Sequence, residues 1–136
     1  MWQHFAHEAD IGIHGSGESP EQAFEEAAVA MTAVITDPDS VVCLETVAVN
    51  CEAPDRELLL VDWLNALIYE MATRRMLFRR FKVEIEDTRL HGTACGEAVD
   101  RARHQPATEV KGATYTALAV YESPHGEWHA KCVVDV

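Results

Sequence analysis

Residues 57–72 read ELLLVDWLNALIYEMA, and this stretch sets the fold class. It has helical length and is apolar almost all the way round, the pattern of a helix buried on several sides. Asp55 precedes it as a capping residue, and the helix is expected to run to about Thr73. Its polar exceptions, Asp62, Asn65 and Tyr69, share one stripe. A water-facing edge accounts for that stripe, and so does a polar contact that fixes the helix against a loop.

A helix this apolar needs neighbours, and working outward from it supplies them. Downstream, Phe81, Val83 and Ile85 alternate with Lys82, Glu84 and Glu86, a strand whose return arm is residues 88–98. The loop VDRARHQP leads to further extended chain over 109–122, a turn at 124–127 and a last strand over 128–135. Upstream, residues 42–53 alternate as a half-buried strand. Before them Ser19-Pro20-Glu21-Gln22 opens a second helix with a cap, a first-turn proline and an S-x-x-Q box. Ala23, Phe24, Ala27, Ala28, Met31, Val34 and Ile35 make its apolar stripe, and Pro38 ends it. Residues 2–6 and 10–15 read as strands around the acidic stretch HEAD. Two main helices among many antiparallel strands predict an α+β fold of antiparallel or mixed β-sheets, one domain over residues 1–136, with the helices packed on one side of the sheet.

A chain of 136 residues, 48% hydrophobic and 25% charged, is large enough for a real core. No apolar run approaches the roughly 20 residues of a membrane-spanning helix, and the N-terminus shows no basic segment leading into an apolar one. The expectation is a soluble, cytoplasmic protein. The formal net charge of −12 disfavours direct binding to nucleic acid, which Lys and Arg drive. A basic protein partner or a metal cation fits that charge better. Against the trend, Arg74, Arg75, Arg79 and Arg80 cluster in TRRMLFRR, as a solvated turn or a docking patch. Cys43, Cys51, Cys95 and Cys132 form no CxxC pair, and Cys43, Cys51 and Cys132 are expected to act as small buried hydrophobes in strands.

No G-x-S-x-G, P-loop, H-E-x-x-H or G-x-G-x-x-G is present. Of seven histidines, His7, His14 and His104 lie near other polar candidates, in surface, packing, metal or general-base roles. The closing strand is more specific. Trp128, Ala130, Cys132 and Val134 point one way, and His129, Lys131, Val133 and Asp135 the other. Asp135 therefore stands beside the terminal carboxylate of Val136, and two such groups repel unless a positive charge lies between them. Oxygen ligands of this kind suit Ca²⁺, Mg²⁺ or Mn²⁺, with Asp10 as a third carboxylate. Solvated acids at both chain ends account for the same residues.

HEADIGIHG (7–15), SPEQAFEEAAVAM (19–31), LLLVDWLNALIYE (58–70), HQPATEVKGATY (104–115) and VVDV (133–136) together resemble the archease family, collinearly from residue 4 to the end. LLVDWLN followed by EVKxxTY is the specific pair. Glu8 departs from the family's H-T-A-D, while His7, Ala9 and Asp10 match it. The resemblance implies a small accessory protein of the GTP-dependent RNA-splicing ligase, promoting guanylylation of the ligase's histidine and its turnover, and not an enzyme itself. It also implies a divalent-cation site from Asp10, Asp135 and the Val136 carboxylate, with Asp37 as a further acidic position and Lys111 as a functional lysine. Two other readings are a chaperone-like protein-binding module and, with no nucleophile or general base beside the acids, a free-standing metal-dependent phosphohydrolase.

Overall fold

Ser19 starts the first helix by the expected contact: its side chain accepts the amide of Gln22 at 3.1 Å. Gln22 in turn accepts the amide of Glu18, one residue ahead of the cap. The computed structural model describes residues 1–136. Strands β1 (Trp2–His7) and β2 (Asp10–Gly17) precede helix α1 (Pro20–Ile35) and a 3₁₀ turn at Pro38–Ser40. Then come β3 (Glu45–Glu52), α2 (Arg56–Arg74), β4 (Met76–Glu86) and β5 (Arg89–Ala98). A short α3 (Arg101–His104), β6 (Gly112–Ala113), β7 (Ala119–Glu122) and β8 (Trp128–Asp135) complete the chain.

The strands make two sheets. One runs β1-β2-β8, with β6 and then β7 paired along the far edge of β8; the other runs β3-β5-β4. Every pairing is antiparallel. The fold class is the expected α+β, but the helices do not sit on one side of a single sheet. They lie between the two. On one side α1 packs so closely on β2 that a Cβ at Gly15 would stand 2.2 Å from the Ala27 nitrogen. On its other side Thr32 donates its hydroxyl to the Phe78 carbonyl of β4 at 2.9 Å. A helix between two sheets must be apolar on two faces, which explains why Ala23, Phe24, Ala28, Ala30, Met31 and Val34 are all buried. The same holds for α2. Its Trp63 donates from the indole to the Phe24 carbonyl at 3.2 Å, and its ring fills the space a side chain at Gly92 would take.

Asp55 caps α2 by accepting the Leu58 amide at 2.9 Å, and Arg75 ends the helix in the left-handed conformation. The polar stripe of α2 serves both anticipated ends. Asp62, Asn65 and Tyr69 are exposed, and Asn65 also accepts the Ala113 amide at 2.9 Å, tying α2 to β6. TRRMLFRR turns at Arg75 with Arg74, Arg75 and Arg80 exposed, while Met76, Leu77 and Phe78 between them enter β4 directly and are buried. Only Gly112–Ala113 and Ala119–Glu122 are strand within 109–122.

The cysteine reading needs correction. Cys43 lies ahead of β3 and forms a disulfide with Cys95 of β5, the Cα atoms being 5.1 Å apart. Cys95 is opposite Thr46 in the antiparallel β3–β5 ladder, and the Leu44 amide bonded to the Gly96 carbonyl holds the chain ahead of β3 beside it, within reach of Cys43. Cys51 and Cys132 are free thiols, half-buried and buried, and burial pushes them up to about 11 and about 12.

Candidate acidic site at the end of the five-stranded sheet

The HEAD stretch is a hairpin. His7 pairs with Asp10 across the two-residue turn Glu8-Ala9, and Glu8 adopts φ 52°. In this left-handed region a residue without glycine's freedom is uncommon, and here it is what turns β1 into β2. From Asp10 the strand runs beside β8 with Ile11 opposite Val134, Ile13 opposite Cys132 and Gly15 opposite Ala130. One further step of this register sets Asp10 opposite Asp135. Opposed residues of antiparallel strands project on the same face, with Cα atoms about 4.5–5.5 Å apart.

That face is the outer one. Gly15 and its row turn toward α1, so Asp10 and Asp135 turn away from it. Asp10 is half-buried and Asp135 exposed. Val136, half-buried, packs against the core and leaves its terminal carboxylate beside Asp135. On the opposite flank Gly112 pairs with Asp135, and the Lys111 amide donates to the Asp135 carbonyl at 2.7 Å. Lys111 itself is exposed. Asp10, Asp135, Val136 and Lys111, more than a hundred residues apart at the extremes, thus sit on three adjoining segments of chain.

Asp37 stands just past the end of α1, the end to which the loop leading to Lys111 is tied. It caps the 3₁₀ turn, accepting the Asp39 amide at 3.0 Å, and lines a small cavity of about 180 Å³ with Trp2, Val29, Pro38, Asp39 and Arg79. No three His, Cys, Asp or Glu side chains converge into a metal-holding group. A cation at the sheet end would meet Asp10, Asp135 and the Val136 carboxylate, with Asp37 as the further acidic position and water completing its coordination. This all-oxygen donor set fits a hard cation.

The loop that delivers Lys111 is anchored by His104, one of the candidate histidines, together with Glu97, Arg103 and Thr36, for which the sequence offered no role. Glu97 is buried at the end of β5 and accepts both Arg103 nitrogens, at 2.9 and 2.5 Å, the Val42 amide at 2.5 Å, and a bond with His104 Nε2 at 3.1 Å. The Arg103 guanidinium, followed by the Val42 amide, holds the Glu97 carboxyl down at about 2. Beyond α3 the chain is pinned to the end of α1. Thr36 donates its hydroxyl to the His104 carbonyl at 2.6 Å, and the Ala107 amide donates to the Ile35 carbonyl at 2.8 Å. Local pattern carried no sign of this: Val42 and Thr36 lie far along the chain from Glu97 and His104, and the six- and seven-residue spacing of Glu97 from Arg103 and His104 follows no helical or strand period.

A cavity of about 770 Å³ lies elsewhere, at the β4–β5 turn between Glu52, Glu84, Asp87, Arg89 and His91. It is polar and open, and no residue of the acidic site lines it.

A family model described as "Archease protein family (MTH1598/TM1083)" matches residues 2–136. A protein archease of Pyrococcus abyssi is 39% identical over 99% of this chain and 98% of its own length. One of Pyrococcus furiosus is 37% identical over 100% and 99%. The solution structure of Methanobacterium thermoautotrophicum protein 1598 superposes with a TM-score of 0.86 at 34% identity, covering 99% of this chain and 98% of that one. The crystal structure of a Thermotoga maritima archease, described as a possible chaperone, shares the fold with a TM-score of 0.61 at 22% identity, covering 97% and 94%.

Proposed function

This chain belongs to the archease family, and on that footing we propose that it is an accessory activator of the GTP-dependent RNA-splicing ligase. It promotes guanylylation of the ligase and its repeated turnover in tRNA splicing or RNA repair, acting as a protein cofactor and not as an enzyme. The observation that supports this reading is the meeting of Asp10, Asp135, the Val136 carboxylate and Lys111 at one sheet end. Asp10, Asp135 and Val136 would hold a divalent cation, Ca²⁺ or else Mg²⁺ or Mn²⁺. When bound, such an ion supplies positive charge for the phosphates of a nucleotide.

The residues of this chain do the rest. The core packing of Val136 fixes the terminal carboxylate in space, and the β2–β8 register fixes Asp10 against Asp135. Lys111, held at the same end by its amide, adds a mobile cation that can contact phosphate or orient an acid. Without a cation the end is strongly anionic, which suits a cationic partner surface and repels the RNA backbone.

The test is ligase guanylylation with GTP, using the organism's own ligase and a substoichiometric amount of this protein. Faster ligase–GMP formation that depends on Asp10 and Lys111 is expected. An unchanged rate would overturn the reading. The chaperone-like alternative predicts binding to unfolded clients that is indifferent to Asp10→Asn.

A further inference from the structure

We propose that His14 and His129 form a second metal site, for a divalent transition-metal ion of the nickel and copper class. The two lie on the outer face of the five-stranded sheet, on the neighbouring strands β2 and β8. His14 is opposite Lys131, and His129 is diagonal to it, opposite Ser16. His14 Nε2 and His129 Nδ1 face each other at 2.9 Å. A cation about 2.0–2.1 Å from each nitrogen subtends close to a right angle at that separation. This is the angle between neighbouring ligands in square-planar or octahedral coordination, favoured by Cu²⁺ and Ni²⁺ over the tetrahedral zinc angle.

The ring nitrogens turned away from that gap have the partners a metal-bound histidine needs. His129 Nε2 lies 3.3 Å from Glu127 Oε1, a carboxylate that fixes the tautomer leaving Nδ1 free to bind. His14 Nδ1 lies 3.0 Å from the side-chain amide of Gln3. With no ion bound, His14 donates from Nε2 to His129 and accepts from Gln3. Binding needs one rearrangement: the His14 proton moves to Nδ1, and the Gln3 amide turns to accept it with its oxygen. The proton moves from one ring nitrogen of His14 to the other and is not released. His14 is held below its ordinary value by partial burial, then by His129 and Lys131, so the neutral form is the resident one.

Other neighbours set the limits of the site. Tyr121 stacks on the His129 ring at 4.8 Å and restrains it, while Lys131 lies 5.9 Å from the Tyr121 ring and opposes the cation. No third His, Cys, Asp or Glu joins the pair, so water completes the coordination and the affinity is moderate. Asp10 is four residues from His14 along β2, about 13 Å away at 3.3 Å per residue, so the two sites are separate.

The probe is Ni²⁺, titrated calorimetrically into the full chain after chelator treatment, in the parent and in His14→Gln, His129→Gln and Asp135→Asn. Each histidine variant should bind Ni²⁺ at least about tenfold more weakly at this site, a loss of roughly 1.4 kcal/mol, and Asp135→Asn should keep it. In the parent, paramagnetic Ni²⁺ should broaden the ring signals of His14, His129 and Tyr121, a readout that needs no variant to fold. Equal Ni²⁺ affinity in parent and histidine variants, or broadening confined to residues around Asp135, would overturn the proposal. Neither result depends on the ligase, so failure here and failure of the ligase reading are distinct.

Discussion

The amide of Lys111 donates to the carbonyl of Asp135 at 2.7 Å, so one main-chain bond joins the exposed lysine to the acidic end of β8. The bond belongs to the backbone and survives any change of the lysine side chain. Lys111→Ala should therefore leave thermal stability within about 0.5 kcal/mol of the parent, as for other exposed positions. Ligase guanylylation should fall at least tenfold. Loss of fold in circular dichroism, or unchanged activation, would contradict the assigned role.

Glu97 supplies a pH signature. Its folded-state value is depressed from an ordinary 4.5 to about 2, by Arg103 first and by the Val42 amide next. A depressed acid contributes stability that is fully present above about pH 4.5 and is lost as pH falls toward about 2. Acid unfolding of the parent should steepen in that window. Glu97→Gln should be less stable at neutral pH and should show a flatter acid limb, because Gln cannot titrate and leaves Arg103 without its charge partner. Parallel acid curves for the two proteins would refute this.

The Cys43–Cys95 bond closes a long loop, with 52 residues of sequence separation. The chain-entropy account assigns about 4 kcal/mol to closing a loop of this length, an upper figure for measured disulfides. Thiol titration of the denatured, non-reduced chain should find only Cys51 and Cys132 reactive. Reduction should lower the urea midpoint by at most about 1.3–4 M for m near the usual 1–3 kcal/mol/M. Four reactive thiols before reduction would contradict the pairing.

What was legible in the sequence was local or periodic. The Ser19 cap, the Asp55 cap and the alternation in β3, β4 and β8 each follow from a few neighbouring residues, and each is where it should be. The apolar girth of residues 57–72 said that α2 is enclosed, and Trp63 and Leu64 are fully buried. It did not say by what, since a helix face carries no label for the sheet it will meet; hence the position of the helices between two sheets was not legible. Asp10 was offered as a third carboxylate beside Asp135 from donor chemistry alone, with solvated acids accounting for the same residues, and the family resemblance favoured the shared site; the β2–β8 register, carried one step past Ile11 and Val134, sets the two opposite each other. The disulfide and the Glu97–Arg103–His104 cluster were invisible in the sequence. The two cysteines are 52 residues apart, and Glu97 meets Arg103 and His104 across a turn whose six- and seven-residue spacing matches no helical or strand period.

Gly15 tests the layered packing. A methyl group there would lie 2.2 Å from the Ala27 nitrogen and 2.3 Å from the Ala23 oxygen, both backbone atoms of α1 that cannot swing aside. Gly15→Ala should push α1 off β2 and cost about 1–3 kcal/mol or more. Chemical denaturation should show a lowered midpoint with m unchanged. An unaltered midpoint would mean that α1 and β2 are not packed this closely.

The C-terminus gives the sharpest test of the acidic site. If the Val136 carboxylate is a ligand, adding residues after it replaces a charged group by a neutral amide carbonyl and crowds the site with chain. Asp135→Asn removes one charge while keeping the shape. Neither change touches the core, and both relieve repulsion between neighbouring carboxylates, so metal-free stability should be equal to or slightly above the parent's. The parent should gain stability with Ca²⁺ or Mn²⁺ by mass action, about 2.7 kcal/mol when the ion is at a hundred times its dissociation constant. Both variants should lose most of that gain, measured as the ion-induced shift in Tm, and with it the activation of the ligase. An extended chain that keeps the full ion-induced shift would remove Val136 from the ligand set and leave Asp10 and Asp135 to account for any cation alone.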